Sequence, residues 1–343
     1  MIKHLLPNVP KVFKANLHTH TTVSDGKFTP EEVRDAYKKE GYSILAITDH
    51  SVVVPHQELN QEDFLMLTGV EIDLEEKGDN PVSTKDRVIH LCLIGKNPEK
   101  RWIPFKDPRP IPSSVPYEVT NEIANMERKY DPEYFSEVIA ECNRQGFLVT
   151  YNHPCWSLES YPEYSPMKGL WGMEYRNSGC IAIGFDENNG HIYQDMLMLG
   201  NRLMPVCADD IHGEFDNGYR VLGDSWNMIA AKELTYDSVI EAMEQGDLYA
   251  SCGPAIHSLT WDGSNVHITC SPAASIQLVC NTRLARLAHA PAGETISEAT
   301  FGITNWVNKS TGNKDAFIRL IVTDRTGRYA VTRAYFADEL IEQ

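Results

Sequence analysis

NLHTHTTVSDGKFTPEEVRDAYKKEGYSILAITDH, residues 16–50, decides the fold. Ala15-Asn16-Leu17 leads into a His-x-His pair, His18 and His20, and the apolar Ile44-Leu45-Ala46-Ile47 leads into Asp49 and His50. Two short β-runs thus stop at residues that ligate metals. Between them, Thr29-Pro30-Glu31-Glu32 is a helix start, with Thr29 as N-cap, Pro30 in the first turn and acids where the helix dipole favours them. Gly41 is the expected C-terminal stop. Strand, ligand loop, helix, strand is a βαβ crossover that carries its chemistry at the carboxyl ends of its strands.

The rest of the chain supplies more ligands of the same kind. Residues 63–72, DFLMLTGVEI, read as an apolar strand delivering Glu71, and 86–95, DRVIHLCLIG, as a strand with His90 in its middle. Residues 97 to about 126 are rich in proline and charge without periodicity, an insertion or lid-like excursion. A helix from Asp131 to Gln145 stops at Gly146, and the buried strand 147–151 ends in Asn152-His153. Residues 169–177 read as a ligand-free sixth strand, 190–200 as a helix, and 201–208 as a seventh strand ending in Asp209-Asp210-Ile211-His212. A two-residue spacing in extended chain puts Asp210 and His212 on one side and Asp209 on the other. From about Ala255 helical spacing gives way to short β-runs and turns, so 1–254 and 255–343 read as a catalytic domain and a small antiparallel β-domain.

Composition narrows the function classes. With 343 residues there is chain enough for one barrel-sized domain and a smaller one. The net charge of −17 and the lack of a long basic run argue against binding a nucleic-acid polymer. No run of about 18 apolar residues and no signal-type N-terminus occur, so a cytoplasmic enzyme, monomeric or homo-oligomeric, is the expectation. Eight cysteines without a C-x-x-C pair read as buried free thiols.

HxHxxxSDG, TDH, the G-x-E strand at Glu71, the histidine strand at His90, His153 and the Asp-x-His at 210–212 together resemble the polymerase-and-histidinol-phosphatase (PHP) family of metal-dependent phosphoesterases, over residues of about 14 to 253. The resemblance implies an α/β fold, a distorted (β/α)7 barrel, with nine metal ligands: His18, His20, Asp25, His50, Glu71, His90, His153, Asp210 and His212. Six imidazoles and three carboxylates exceed one ion's needs and suit two or three divalent cations, with mixed nitrogen and oxygen donors pointing to Zn, Mn or Fe. By similarity to trinuclear members, one ion would take His18, His20, Glu71 and Asp210, a second Glu71, His90 and His153, and a third Asp25, His50 and His212. The implied reaction is hydrolysis of an ester bond in a small phosphorylated substrate, a nucleotide or sugar phosphate, by a metal-bridging hydroxide. His56, Arg176 and Asn177 are candidates for substrate contact, and the general acid is not visible.

Two other readings compete. Residues 247–254 followed by a β-domain look like family members grouped with carbamate-ester hydrolases, and the same nucleophile would attack a carboxylic or carbamate ester. A non-catalytic binding barrel is the third, disfavoured because a degenerate member would have lost ligands.

Overall fold

The computed structural model of the chain describes residues 2–7, 9, 11–76, 86–106, 121–213 and 221–341. The region begins with β1 (Lys3–Leu6) and β2 (Phe13–Asn16), followed by α1 (Pro30–Lys39) and β3 (Ile44–Ile47). In α1, Glu32 N donates to Thr29 Oγ1 and Thr29 N to Glu32 Oε2, a reciprocal cap that fixes where the ligand loop ends. Val33 and Tyr37 are buried one turn apart, and Gly41, φ 79°, lets the chain turn back into β3.

Next come β4 (Leu65–Glu75) and β5 (Val88–Gly95), then the two-residue β6 (Trp102–Ile103) and β7 (Glu122–Ile123). After them lie α2 (Pro132–Arg144), β8 (Phe147–Tyr151), α3 (Tyr161–Tyr164), β9 (Gly172–Asn177), α4 (Ser178–Ala182), α5 (Gly190–Met198) and β10 (Met204–Ala208). Then β11 (Trp226–Ile229), α6 (Tyr236–Gln245) and β12 (Leu248–Ser251) lead to the C-terminal strands. Asp131 caps α2 through Glu133 N, and Phe135, Val138, Ile139 and Cys142 bury one helical stripe. Of the expected lid-like excursion, 107–120 lies outside the described residues; its flank is core, with Trp102, Ile103 and Phe105 buried.

The sheet differs from a seven-unit (β/α) barrel. β2, β3 and β4 are parallel, as are β8, β9 and β10, but β5 runs antiparallel to both β4 and β8, and β11 antiparallel to β2. The ladder is an open path of thirteen strands, with a fourteenth, the two-residue Tyr335–Phe336, pairing off it, and not a closed ring, among the described residues. β10 and β11 approach without a ladder: Asn227 Oδ1 accepts from Cys207 N and its Nδ2 donates to Cys207 O. At the ligand end, Asp210 N donates to His18 O and His20 N to Ile211 O, so the tips of β2 and β10 are tied together.

The reversal of β5 explains His90. A parallel strand would carry a ligand at its carboxyl end, whereas an antiparallel one reaches the same rim with its first residues. His90 is the third residue of β5 and lies opposite Asp73, with Cys92 opposite Glu71.

The C-terminal strands are β13 (Ile256–Trp261), β14 (Asn265–Ala273), β15 (Ser275–Cys280), β16 (Arg286–His289), β17 (Ile296–Gly302), β18 (Phe317–Thr323), β19 (Tyr329–Thr332) and β20 (Tyr335–Phe336). Two short helices that the loss of helical spacing did not foretell, α7 (Thr304–Ser310) and α8 (Ala337–Leu340), lie among them. β19 pairs with β12, so the long sheet runs across residue 254, while β1 pairs with β13 in a separate four-stranded sheet. Leu5, Leu259, Ile268, Ile276 and Leu320 form one buried cluster between these sheets. All eight cysteines are free, and all but Cys155 are buried. No described helix is long and apolar enough to cross a membrane.

Glu159 is a buried carboxyl beside the separate cluster that includes Phe135, Val149 and Tyr151, accepting from Tyr130 Oη at 2.8 Å and Tyr151 Oη at 2.6 Å. Burial pushes it up to about 8, against the partial opposition of the two hydroxyls. A folded value above the ordinary 4.5 means that folding takes up a proton, so this stabilisation is complete below pH 4.5 and is lost as pH rises towards 8. In chelator, the melting temperature of wild type should fall by several degrees relative to Glu159→Gln between these limits. A constant difference between the two melting curves would show the group to be ionised in the fold.

Candidate metal centre

The ligand candidates converge because the strand ends and the loops that follow them are held by hydrogen bonds to their neighbours. Asp49 does this for the first loop: its Oδ1 accepts from Thr21 N and Ser24 Oγ, and its Oδ2 from Thr21 Oγ1, all at 2.7 Å. The Asp of TDH is thereby the brace of the HxHxxxSDG loop, and His50 is left to face inward. His50 bridges to Glu71 across the β3–β4 edge.

Glu71 is the hub. Its carboxylate oxygens lie 3.1–3.3 Å from nitrogens of His18, His20, His50, His90 and His153. Asp210 Oδ1 lies 3.2 Å from His18 Nε2, 3.3 Å from His20 Nε2 and 3.5 Å from His212 Nδ1. Asp25 stands at the outer edge, 3.5 Å from His50 Nε2 and 3.6 Å from His212 Nε2. All nine residues read from the sequence are therefore brought together.

Donor spacing tests whether cations fit. Two ligands bonded to one ion at about 2.1 Å are about 3.0 Å apart at a right angle and about 3.4 Å apart in a tetrahedron. His18 Nε2, His20 Nε2, Asp210 Oδ1 and the Glu71 oxygens meet at 3.0–3.3 Å. The buried His50 Nδ1, His90 Nδ1 and Asp210 Oδ1 make no hydrogen bond, although each points into this cluster. Leaving such atoms unpaired costs about 1–3 kcal/mol each, and a shared cation would satisfy them together. Three-atom or four-atom groups within 4.8 Å are offered by His20, Asp25, His50 and His212; by His18, His153 and Asp210; and by His50, Glu71 and His90.

Charge in the metal-free chain is balanced by protons. Burial would lower His20 and His153, yet Asp210 and Glu71 raise His20 to about 10, and Glu71 raises His153 to about 9. Burial, followed by the neighbouring His20 charge, brings His50 down to about 3. Burial would raise Glu71 and Asp210, but the surrounding imidazoles hold both well below the usual carboxylate range. Binding a cation must displace such protons.

Four positioning residues were not anticipated from sequence. Glu174, in the strand read as ligand-free, accepts from His18 Nδ1 at 2.7 Å and from His153 N and Asn177 Nδ2 at 2.9 Å. It fixes the imidazole of His18 with Nε2 towards the cluster. Alternation along GMEYRN, with Glu174 between apolar neighbours, was the available signal. Asn152 Nδ2 donates to Glu71 Oε1 and to Cys92 Sγ, and Cys92, two residues after His90, shares its strand face. Asp49 is the fourth. Replacing Glu174 by Gln is expected to weaken metal binding about 10–100-fold with the fold intact, measured by competition with a chelating indicator; unchanged affinity would remove the positioning role.

The three substrate-contact candidates are placed differently. Asn177 Nδ2 also donates to Asp210 Oδ2 at 3.0 Å, so it holds a candidate ligand. Arg176 is engaged by Asp224, Ser225 and Asn188, and neither it nor the buried His56 is in the wall of the cavity over the cluster. Asp209 turns away from the cluster, accepting from Gly223 N and Ser225 N. The separation of Asp209 from Asp210 follows from a left-handed residue, Asp210 at φ 51°, rather than from extended chain.

A cluster of histidines and carboxylates at the rim of a mixed sheet is a candidate metal centre of the kind that metal-dependent hydrolases use. The chain belongs to the PHP domain family, whose pattern it matches over residues 16–209. A segment is 36% identical to the DNA polymerase/3'-5' exonuclease PolX of Bacillus subtilis, covering 22% of this chain and 17% of that protein. The chain thus spans about a sixth of the length of that relative. Among solved structures, a two-domain protein from Bacteroides vulgatus, described as containing a predicted PHP-like metal-dependent phosphoesterase, is 15% identical with a TM-score of 0.42, covering 97% of both chains. An amidohydrolase from Chromobacterium violaceum with bound sulfate and no metal is 13% identical with a TM-score of 0.37, covering 68% of this chain and 96% of that one. These overlaps are loose, and membership rests on the motif-bearing segment.

Proposed function

We propose that this protein is a metal-dependent phosphoesterase that hydrolyses a small phosphate ester, with the nine residues from His18 to His212 as its ligands. The observation carrying this reading is the Glu71 carboxylate at the centre of five imidazoles, with a cavity of about 500 Å³ opening over them. When bound, two or three divalent cations, Zn, Mn or Fe, would supply Lewis acidity towards an ester oxygen and acidify a water.

The protein's own part is placement and charge. Glu71 and Asp210, deep in the cluster, hold the ligand imidazoles, while Asp25 and His212, partly exposed, form the open edge where substrate arrives. Glu174 and Asn177 fix His18 and Asp210 from behind. A phosphate dianion cannot approach three carboxylates in a chain of net charge −17 unless cations stand between them, which supports a metal-dependent reaction on a small anion. The segment from residue 255 onward is proposed as an accessory β-domain bracing a barrel-like catalytic domain whose seam is closed by side chains.

The test is metal-free protein reconstituted with Zn, Mn or Fe and assayed on phosphomonoesters, phosphodiesters, short oligonucleotides and carboxylic esters. Phosphomonoester cleavage is expected, falling at least about 10³-fold in His20→Ala, equivalent to about 4 kcal/mol of barrier. Oligonucleotide cleavage alone would move the substrate towards the polynucleotide chemistry in the PolX name, and carboxylic ester cleavage alone towards acyl transfer. Failure of wild type to retain any ion would overturn the reading.

A further inference from the structure

We infer that the substrate is a monophosphate ester with an apolar, flat leaving group, and that Trp156 and Ile183 are its specificity-determining residues. This rests on the phosphoesterase reading and narrows it away from sugar phosphates and from molecules with a second anionic group.

The cavity wall carries the inference. Apart from the candidate ligands and Glu75, the side chains bounding the cavity are apolar, Val88, Trp156, Ile183, Ile211 and Val221 the largest, with no lysine or arginine among the described residues lining it. Glu75, half-exposed at the wall, lies 3.8 Å from Arg128 Nη2, which Asp73 also engages, so that cation is already held by carboxylates rather than offered to a second phosphate. A sugar brings several hydroxyls, and each one buried against aliphatic carbon without a partner lowers affinity. An aryl or cycloalkyl group loses nothing there.

Two details fit an occupant of that shape. The Trp156 ring lies beside the ligands, its centroid 5.1 Å from that of His90 and 5.0 Å from that of His153, so a group leaving from the cluster would lie along the indole. Its backbone N–H is held by the buried Glu187, which anchors the main chain from which the ring projects. Ile183 is 64% exposed at the wall, an aliphatic side chain in water that an apolar ligand would cover.

Leaving groups of similar intrinsic reactivity separate shape from chemistry, so the experiment compares benzyl phosphate with glycerol 3-phosphate and glucose 6-phosphate on the metal-loaded protein. The inert benzylphosphonate and methylphosphonate are titrated by calorimetry in parallel. Wild type is expected to favour benzyl phosphate, and to bind benzylphosphonate over methylphosphonate, by about tenfold or more. Trp156→Ala should abolish the preference, chiefly by raising KM for the benzyl ester. Ile183→Asn, a change at a position 64% exposed, should reduce it several-fold. Equal handling of benzyl and polyol esters, or a preference untouched in both variants, overturns the inference while the phosphoesterase reading stands. Absence of binding by either phosphonate overturns both.

Discussion

Glu71→Gln is expected to lose bound metal and at least about 10³ in kcat/KM, as large an effect as removing a ligand imidazole. Gln has nearly the same shape, so the change isolates charge. In wild type the carboxylate faces five imidazole nitrogens at 3.1–3.3 Å, each of which must present a lone pair to a cation. The amide would point N–H donors at some of them and supply no negative charge to offset divalent ions. The metal-free variant should be destabilised as well, by about 3–5 kcal/mol, because the protonated His20 and His153 lose their counter-charge. Elemental analysis of the purified protein beside initial rates decides the matter. Full metal content in Glu71→Gln would show that Glu71 is a structural carboxylate and not a bridging ligand.

The second large effect is expected where no ligand is touched. A Cβ on Gly26 would lie 2.7 Å from His20 C, Thr21 Cα and Thr21 N, all backbone atoms. Its φ is not in the left-handed region, so the position demands space, not conformational freedom. Gly26 N also donates to Thr21 O at 2.8 Å, closing the loop on itself. Ala must therefore push the chain apart between His20 and Asp25, at about 1–3 kcal/mol for overpacking. A displacement approaching 1 Å at the ligands would cost about 10²-fold in rate. Gly41→Ala is the control: at φ 79° with nothing within 4 Å of the added carbon, it should cost about 1 kcal/mol of stability and leave metal content and kinetics alone. Equal activities for the two variants would show that the loop tolerates the extra carbon.

These two residues also show what was legible in the sequence. Most of the nine candidate ligands could be read because they sit in short runs with a local signal, a strand or turn that delivers a His or a carboxylate, while His90 came only with the family resemblance; the structure gathers all nine. The role of His90 could not be read from local pattern, since strand direction is set by pairing with β4, the preceding strand, and with β8, much later in the chain. Glu174 was missed for the reason that it does not end a strand: its importance lies in reaching His18 from 156 residues away. The contact between β10 and β11 had the same difficulty, for nothing in WNMI says that Asn227 will span to Cys207. The short helices after residue 300 carry weak periodicity, and their placement is a matter of tertiary packing.

The pairing of β1 with β13 bears on how the chain is made. Leu6 finds its partner at Leu259, so a ribosome must deliver about 250 further residues first. At about 5–20 residues per second that interval is on the order of ten to fifty seconds. Throughout it Leu5 and Leu6 have no permanent apolar cover, while β2 to β5 can already assemble behind them. The leading strand is thus among the last to be stitched in, and synthesis pauses before β13 would lengthen the nascent chain's dependence on chaperones.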